Sequence, residues 1–462
     1  MAIIATGADD GAPTTKAKKS SVPVQAWPSS GRAYYTVALL GLVVMFAEVD
    51  RGIMSLLVQP IKNDMHLSDT SVSLLLGVAF ALFYAAFGLP MSRFIDRSNR
   101  RNLLAAALGI WSVATVFCGL AQNFVQLFLA RLFLGAGESV NGPAIFSMIS
   151  DSFPKERLPR AIAIMQLGVT GGAGFSLIMG AIVIKMLVGV PDIHVLGLVI
   201  RWWQLVFMVI GLPGLLVALV LQLTVREPLR RGMGTVAQQS QIGMRQVLAY
   251  VGKNWKVFGP QFGSMGIAAL GMGALSWGPA FYQRTYGWQP AQVGMMLGIM
   301  NLVTAPIGLF AGVWAYERYV KKSFVDAPMR VVIVGRLMAI PFALAMPLMP
   351  NPWLALGCAA IGGIALGFGG ASQNAALQIV TPPSMRGQMT AINMFLFSVV
   401  GSGLSPSIIA LITDYVFRDE SQLRYAILTT AVLFGPASLL VWWLGVKPYV
   451  REVARLEAEG VA

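Results

Sequence analysis

Three ionisable side chains lie within the first long apolar stretch of the sequence, which extends from Ala33 to Val58. Glu48 is followed closely by Asp50 and Arg51. A charged group at the centre of a membrane costs about 2.5–3.5 kcal/mol even on the lowest scales, so such groups face a bundle interior or a wet cavity. Asp50 is a candidate proton acceptor, and Arg51 is its candidate partner or an anchor for an anion. The role of Glu48 stays open.

A second set of charges lies in the apolar stretch from residue 124 to 149. Arg131 and Glu138 are seven residues apart, so they share one helix face about two turns from each other. Both can face the cavity that Asp50 and Arg51 face. Glu138 is a second candidate proton acceptor, and Arg51 is its candidate partner as well. Alternatively, these charges only lock helices together, although small residues would do so at lower cost.

The second half of the chain offers a different set of candidate cavity residues. They are aromatic or amide side chains within apolar stretches: Trp277, Phe281, Tyr282, Asn301, Gln373, Asn374 and Asn393. A cavity with one charged wall and one apolar wall suits a substrate with a charged head and an apolar body, whereas a sugar needs many convergent polar groups. Aromatic residues also fill ordinary helix bundles, so both interpretations remain open here.

The composition indicates which elements must position these residues. The 462-residue chain is 56% hydrophobic and 12% charged, with a mean hydropathy of +0.68, whereas soluble domains have about 25% charged residues. Apolar runs of about 20 residues predict membrane-spanning helices. The fold class is therefore an all-α membrane protein with twelve spans, near 33 to 58, 69 to 91, 102 to 121, 124 to 149, 158 to 185, 201 to 225, 256 to 283, 290 to 316, 330 to 349, 352 to 380, 386 to 414 and 424 to 446.

The distribution of the basic residues explains the net charge of +14 better than nucleic-acid binding does. If the N-terminus is cytoplasmic, 25 of the 34 Lys and Arg residues lie on the cytoplasmic side, as the positive-inside rule requires. Six lie outside, and Arg51, Arg131 and Arg336 lie within spans. We expect a protein of a bacterial inner membrane with both termini in the cytoplasm.

The chain divides into two halves of similar length. We expect a disordered cytoplasmic tail at 1–32 and a second cytoplasmic tail at 447–462. Two six-helix halves, 33–225 and 256–446, are joined by a cytoplasmic linker with an amphipathic helix at 226–255. Pseudo-symmetric halves with a substrate site between them at mid-membrane depth are typical of secondary transporters.

A charged loop follows the second span and reads DRSNRR, from Asp96 to Arg101. It resembles the loop signature of the major facilitator superfamily, with Ser92 and Asn99 where the family usually has glycine. An acid and several cations at helix ends can pair across the interface between halves and act as an intracellular gate. The predicted gate residues in the two halves are Asp96, Arg97, Arg100, Arg101, Glu317 and Arg318. A plain basic cytoplasmic loop is the alternative.

Longer motifs resemble the spinster subfamily of that superfamily. They are VDR in the first span, the DRSNR loop, and the stretch RLFLGAGESVNGPAIFSMISDSFPKERLPRAIAI. The resemblance covers about the first 185 residues and implies an amphipathic lipid substrate, such as a lysophospholipid or sphingosine phosphate, or a related organic anion. It assigns coupling or head-group roles to Asp50, Arg51 and Glu138, and gate roles to Asp96 and Arg97. The glycine-rich run Gly168–Gly180 resembles the family's fifth-span motif, for which we expect a packing role.

Other classes of function fit less well. The histidines, His66 and His194, fall in predicted outer loops, the cysteines lie in spans, and no cluster has metal-ligand spacing, so we expect neither an enzyme nor a cofactor. A channel would need a filter or repeated charges. We therefore expect a proton-coupled carrier whose partners are the bilayer, protons and a small-molecule or lipid substrate. A small organic-anion, sugar-acid or drug carrier and an uncoupled uniporter remain the alternatives.

Overall fold

A computed structural model describes residues 27–154, 157–195, 197–230 and 244–459 of the chain. The helices of the first half are α1 (Ser30–Leu56), α2 (Val58–Met65), α3 (Asp69–Ser73), α4 (Ala79–Arg97), α5 (Arg100–Cys118), α6 (Phe124–Glu138), α7 (Asn141–Ser152), α8 (Leu158–Leu187) and α9 (Trp202–Thr224). Those that follow are α10 (Met244–Lys253), α11 (Trp255–Leu270), α12 (Gly273–Tyr286), α13 (Pro290–Lys321), α14 (Ala327–Ala345), α15 (Pro352–Ile379), α16 (Arg386–Leu396), α17 (Ser405–Leu411), α18 (Leu423–Leu444) and α19 (Val446–Ala458). A short antiparallel hairpin, β1 (Ile193–Val195) with β2 (Leu198–Ile200), precedes α9.

These helices confirm the expected twelve-span arrangement. In the described part of the chain, nine helical segments are by themselves long and apolar enough to cross a membrane. Two of the other three spans are divided into shorter helices, α6 with α7 and α11 with α12, and the third is α1, which contains Glu48, Asp50 and Arg51.

Polar caps set where several helices begin. The Asn99 side chain accepts a hydrogen bond from the backbone of Asn102 at the start of α5, and Asn123 caps α6 in the same way. Ser68 caps α3. Since the first backbone N–H groups of a helix have no partner within it, these caps satisfy them at the edge of the membrane.

Two spans contain π-helical turns that meet across the bundle. The second span has one at Leu74–Val78, and the eleventh span has two, at Phe397–Leu404 and Ile412–Phe417. A Cβ atom on Gly77 would lie 2.4 Å from the carbonyl oxygen of Gly403. Only glycine at position 77 permits this approach of the two halves.

The two ends of the bundle differ in how the halves pack. We name them the Arg100 end, where α4 ends and α5 begins, and the Arg284 end, where α12 ends and α13 begins. At the Arg284 end one apolar core contains residues of both halves, including Leu57, Trp203 and Trp277. Toward the Arg100 end, the described apolar residues form smaller cores, each confined to one half. The halves are therefore joined by apolar packing at the Arg284 end.

The predicted tails and linker are only partly described. Residues 1–26 and 231–243 lie outside the described residues, so most of the tail and the connector expected there cannot be compared. α10 falls within the predicted linker 226–255 and buries Val247 in the core of the second half. In α19, Tyr449 and Val453 pack into the same core.

Candidate functional site

Arg51 lies between two carboxylates that come from different helices. Its Nη1 donates to Glu48 Oε1 at 2.8 Å, one turn earlier on α1, and its Nη2 donates to Glu138 Oε2 at 2.6 Å, at the end of α6. The guanidinium also lies over the ring of Phe80, 5.0 Å from its centroid. The structure thus brings together three of the residues that the sequence singled out.

This arrangement is open on one side. The Glu138 side chain is only 1% exposed, whereas that of Arg51 is 39% exposed. Arg51 Nε and Glu138 Oε1 are buried and have no hydrogen-bond partner among the described residues. A salt bridge with spare donors and acceptors beside an accessible cation can exchange partners with a proton or an anion.

Asp50 points away from Arg51 and lies at a separate buried position. The residue is 5% exposed, and its Oδ1 is 2.9 Å from the hydroxyl of Thr115 on α5. The same hydroxyl lies 3.0 Å from the carbonyl oxygen of Trp111. Asp50 forms no ion pair with Arg51, which corrects our expectation that Arg51 is its partner. Consecutive residues on a helix differ by about 100° in direction, and this rotation separates them.

Arg131 is buried and braces the second span. Its Nε donates to the carbonyl oxygen of Leu75 at 3.2 Å, within the π-helical turn, and its Nη1 has no described partner. Arg131 therefore forms no ion pair with the other described charged residues. We name Glu48, Asp50, Arg51, Arg131 and Glu138 together the first-half charge cluster.

α8 packs closely against α1 beside this cluster. A Cβ on Gly168 would lie 2.6 Å from the carbonyl oxygen of Gly41, and one on Gly172 would lie 3.1 Å from Glu48 Cγ. Small residues permit such contacts between membrane helices. The packing role expected for the glycine-rich run is confirmed.

The aromatic residues expected to line a cavity belong to the packed core instead. Trp277, Phe281 and Tyr282 are buried in the core at the Arg284 end. Trp277 Nε1 donates to the carbonyl oxygen of Pro406 at 2.9 Å, and Tyr282 stacks on Trp288. Our expectation of a cavity wall was wrong for these three residues. Their helix, α12, contributes to the closed end of the bundle, which composition alone does not reveal.

Several amide residues of the second half are less buried than these aromatic residues. Asn301 is half-buried and Asn374 is exposed. Asn393 Nδ2 donates to Asn374 Oδ1 at 2.9 Å, and Gln373 Oε1 accepts from Arg336 Nη2 at 3.2 Å. The sequence analysis assigned no role to Arg336. Its position could have indicated one, because it is one of three basic residues within predicted spans.

Two of the predicted gate residues, Arg100 and Arg101, make their described contacts within the first half and with the first residues of the linker. Arg100 is buried and binds Asp151 and Glu227, together with the carbonyl oxygen of Pro228. The backbone N–H of Arg101 donates to Glu227 Oε2 at 2.8 Å. These contacts brace α5 against the end of the first half, and they differ from the pairing across the halves that we expected.

The other predicted gate residues make fewer described contacts. Arg97 and Glu317 are exposed, and Arg318 lies over the ring of Trp314 at 5.2 Å. The side chain of Asp96 lies outside the described part of the structure. Their gating role stays a prediction.

A network of ion pairs at the Arg284 end joins the halves, and sequence reasoning missed it. Both guanidinium Nη atoms of Arg284 donate to Asp69, at 2.7 and 2.8 Å. Lys62 Nζ donates to Asp69 Oδ1 at 2.7 Å and also binds Glu420. Thr70 Oγ1 donates to Asp414 Oδ2 at 2.6 Å. We name Lys62, Asp69, Arg284 and Glu420 the inter-half ion network. Its members lie near loops, and nothing in their spacing links residues more than 200 positions apart.

Comparison with known proteins agrees with this architecture. Residues 40–406 match the family model of the Major Facilitator Superfamily. The chain belongs to the major facilitator superfamily. Its twelve spans in two pseudo-symmetric halves are the fold of that family, and the protein is an integral, multi-pass membrane transporter.

Individual members of the superfamily resemble the chain over most of its length. An MFS-type efflux pump of Mycolicibacterium smegmatis is 25% identical over 91% of this chain and 94% of its own. A probable L-galactonate transporter of Escherichia coli is 23% identical, with 88% and 89% covered. The crystal structure of a bacterial homologue of the human lysosomal transporter spinster, in an inward-facing and unoccupied conformation, matches with a TM-score of 0.74 and 25% identity, covering 92% and 98%. The spinster-like resemblance is confirmed.

Proposed function

We propose that this major facilitator protein moves an amphipathic anion by alternating access, coupled to protons. The observation that carries the proposal is Arg51, an accessible guanidinium bound to Glu48 and Glu138 in the interior of the bundle. Phe80 lies under this guanidinium and stacks on Tyr84, with ring centroids 5.4 Å apart. A cation beside aromatic rings suits a substrate with an anionic head and an apolar body.

Exchange of partners at Arg51 supplies a coupling step. Protonation of Glu138 removes the negative charge that holds Nη2, and Arg51 then becomes free to bind an anionic head group. Release of the substrate restores the ion pair as the proton leaves. A proton and a monoanion that cross together carry no net charge, so the pH gradient is the driving force, and one pH unit supplies about 1.4 kcal/mol, enough to sustain a substrate gradient of about 10-fold.

Asp50 is suited to hold a second proton. The Thr115 hydroxyl has one hydrogen but lies within hydrogen-bond distance of two acceptors, Asp50 Oδ1 and the carbonyl oxygen of Trp111. A proton on Asp50 would let its carboxyl group donate to Thr115, while Thr115 donates to Trp111. Loading and unloading this proton would change the contact between α1 and α5.

We assign this conformation to the inward-open state, with the Arg100 end facing the cytoplasm. Three features support the assignment: the shared apolar core at the Arg284 end, the inter-half ion network there, and the similarity to an inward-facing spinster homologue. The positive-inside rule, applied to the basic residues of the sequence, favours a cytoplasmic position for the same end. Rocking of the halves would then require the Arg284 end to open.

The coupling proposal is tested by uptake of radiolabelled lysophosphatidate into proteoliposomes with and without an imposed pH gradient. The variants are Asp50→Asn and Glu138→Gln, and the matched control is Glu457→Gln, which removes an exposed acid on α19. We expect the gradient to stimulate transport by the wild type and the control but by neither of the first two variants. If the gradient stimulates all four proteins equally, coupling does not depend on Asp50 or Glu138 and the assignment is wrong; if it stimulates none of them, the protein is an uncoupled carrier.

A sugar-acid carrier is the second candidate function. It is favoured by the similarity to a probable L-galactonate transporter and by the amides of Gln373, Asn374 and Asn393, which can bind hydroxyl groups. Uptake of radiolabelled galactonate and uptake of radiolabelled lysophosphatidate, measured in the same proteoliposomes, distinguish the two substrates. Saturable uptake of galactonate alone would favour the sugar acid, whereas saturable uptake of lysophosphatidate alone supports the amphipathic anion.

A further inference from the structure

Arg336 lies at the middle of α14 in the second half and contacts three other helices. Its Nη1 donates to the hydroxyl of Ser264 on α11 and, at 2.7 Å, to the carbonyl oxygen of Ser438 on α18. Its Nη2 donates to Gln373 Oε1 on α15 at 3.2 Å. The guanidinium also lies over the Trp442 ring, 5.2 Å from its centroid. The side chain is therefore held in one position before any ligand arrives.

No carboxylate among the described residues pairs with Arg336. Its acceptors are all neutral, whereas Arg51 and Arg100 each bind two carboxylates. Of its five N–H donors, the one on Nε and one on Nη2 have no acceptor in the described part of the chain, and the residue is only half-buried. A cation among membrane helices without a counter-ion must meet water or an anion.

Arg336 lies at a different depth from the first-half charge cluster. It is nine residues into α14, about 13 Å from the Arg100 end at 1.5 Å per residue. Arg51 is 21 residues into α1, about 31 Å from the same end. Asn374 and Asn393 extend the polar surface from Gln373 toward α16. The second half thus presents a polar layer with a fixed cation closer to the Arg100 end.

We propose that Arg336, with Ser264 and Gln373, is a second subsite that binds the anionic group of the substrate, a carboxylate or phosphate monoester. This inference rests on the proposed transport of an amphipathic anion. An anion reaching the bundle from the Arg100 end meets Arg336 first and the first-half charge cluster afterwards. The anion binds first at Arg336 and then at Arg51, where its binding is coupled to protonation of Glu138.

Equilibrium binding tests the subsite without requiring transport. The full-length protein is placed in nanodiscs of neutral phosphatidylcholine and titrated with oleoyl lysophosphatidate or with uncharged monooleoylglycerol. Trp442 fluorescence is the reporter, identified by the signal lost in Trp442→Phe. We expect a saturable signal with the phosphate and not with the neutral lipid. In Arg336→Gln the affinity for the phosphate should fall about 10- to 100-fold, because charge-assisted hydrogen bonds are lost.

Two further variants separate binding from structure. Arg330→Gln removes an exposed charge from the same helix and should bind like the wild type. Arg336→Lys keeps the charge but lacks the planar fork of donors, so its affinity should lie between those of the wild type and Arg336→Gln. If Arg336→Gln does not fold, the lysine variant decides the matter. Unchanged affinity in a folded Arg336 variant would overturn the proposal and indicate that Arg336 only braces α11 and α18.

Failure of the subsite and failure of the proposed function give different results. If lysophosphatidate binds at Arg336 but is not transported, the subsite stands and the assigned substrate is wrong. If transport and its pH dependence persist while Arg336→Gln binds as the wild type does, the proposed function stands and the subsite is rejected.

Discussion

Asp69 of the first half and Arg284 of the second half form a two-fold hydrogen-bonded ion pair at 2.7 and 2.8 Å, and the Asp69 side chain is 0% exposed. Removal of one partner from a buried pair leaves an uncompensated charge and costs about 3–5 kcal/mol. The pair joins α3 to α12 at the end where the halves share an apolar core. It therefore stabilises closure of the Arg284 end.

Substitution Asp69→Asn should favour opening of this end. We expect a cysteine placed at Ser407, in a background with Cys118 and Cys358 replaced by alanine, to react at least about 10-fold faster with a membrane-impermeant thiol reagent added at the Arg284 end, since the lost pair exceeds 1.4 kcal/mol. Asp419→Asn is the matched control, because Asp419 is exposed at the same end and its described hydrogen bonds are to its neighbours, Ser421 and Gln422. Equal reaction rates in the two variants would show that the Asp69–Arg284 pair does not control closure.

A disulfide across the same interface should stop transport. The hydroxyl oxygens of Ser73 and Ser407 lie 3.1 Å apart on opposite halves, so Ser73→Cys combined with Ser407→Cys should cross-link under mild oxidation. Uptake into proteoliposomes should then cease and return after reduction, while each single cysteine variant remains active. Full activity of the cross-linked protein would contradict alternating access through the Arg284 end.

Substitution Arg51→Lys should weaken substrate handling more than stability. A lysine keeps the positive charge but is a compact point charge that does not reproduce the planar fork contacting Glu48 and Glu138. We expect uptake at low substrate concentration to fall about 10- to 100-fold, corresponding to one or two charge-assisted hydrogen bonds. The melting temperature in detergent should change little. A large loss of thermal stability with unchanged uptake per folded molecule would assign Arg51 a structural role instead.

Substitution Arg100→Gln should destabilise the first half. Arg100 is buried and binds Asp151 and Glu227, so the substitution removes the buried cation of two ion pairs, at a cost of about 3–5 kcal/mol. Thermal unfolding in detergent should therefore begin at a clearly lower temperature. Arg97→Gln is the control, because Arg97 lies three residues earlier, at the end of α4, and is exposed. Normal thermal stability of Arg100→Gln together with altered uptake would restore the gate role that the sequence suggested.

The sequence alone determined the spans and the residues that had to face inward. A lipid-facing backbone must satisfy its own hydrogen bonds, so an apolar run of about 20 residues becomes a helix with few alternatives. The span predicted at 158–185 is accordingly α8, Leu158–Leu187. The cost of charge in lipid likewise placed Arg51 and Glu138 in the bundle interior before their contact was known.

Only the tertiary structure decided which of these residues meet. Helical spacing gives the face on which a side chain lies but not the neighbour it contacts, so Arg51 binds Glu138 and Glu48 while Asp50 turns to Thr115. The pairing of Asp69 with Arg284 depends on how two halves dock, and no local pattern encodes it. The burial of Trp277 and the position of Arg336 away from the described carboxylates follow from the same docking and helix packing. These contacts are long-range, and they assemble only when the helices are packed together.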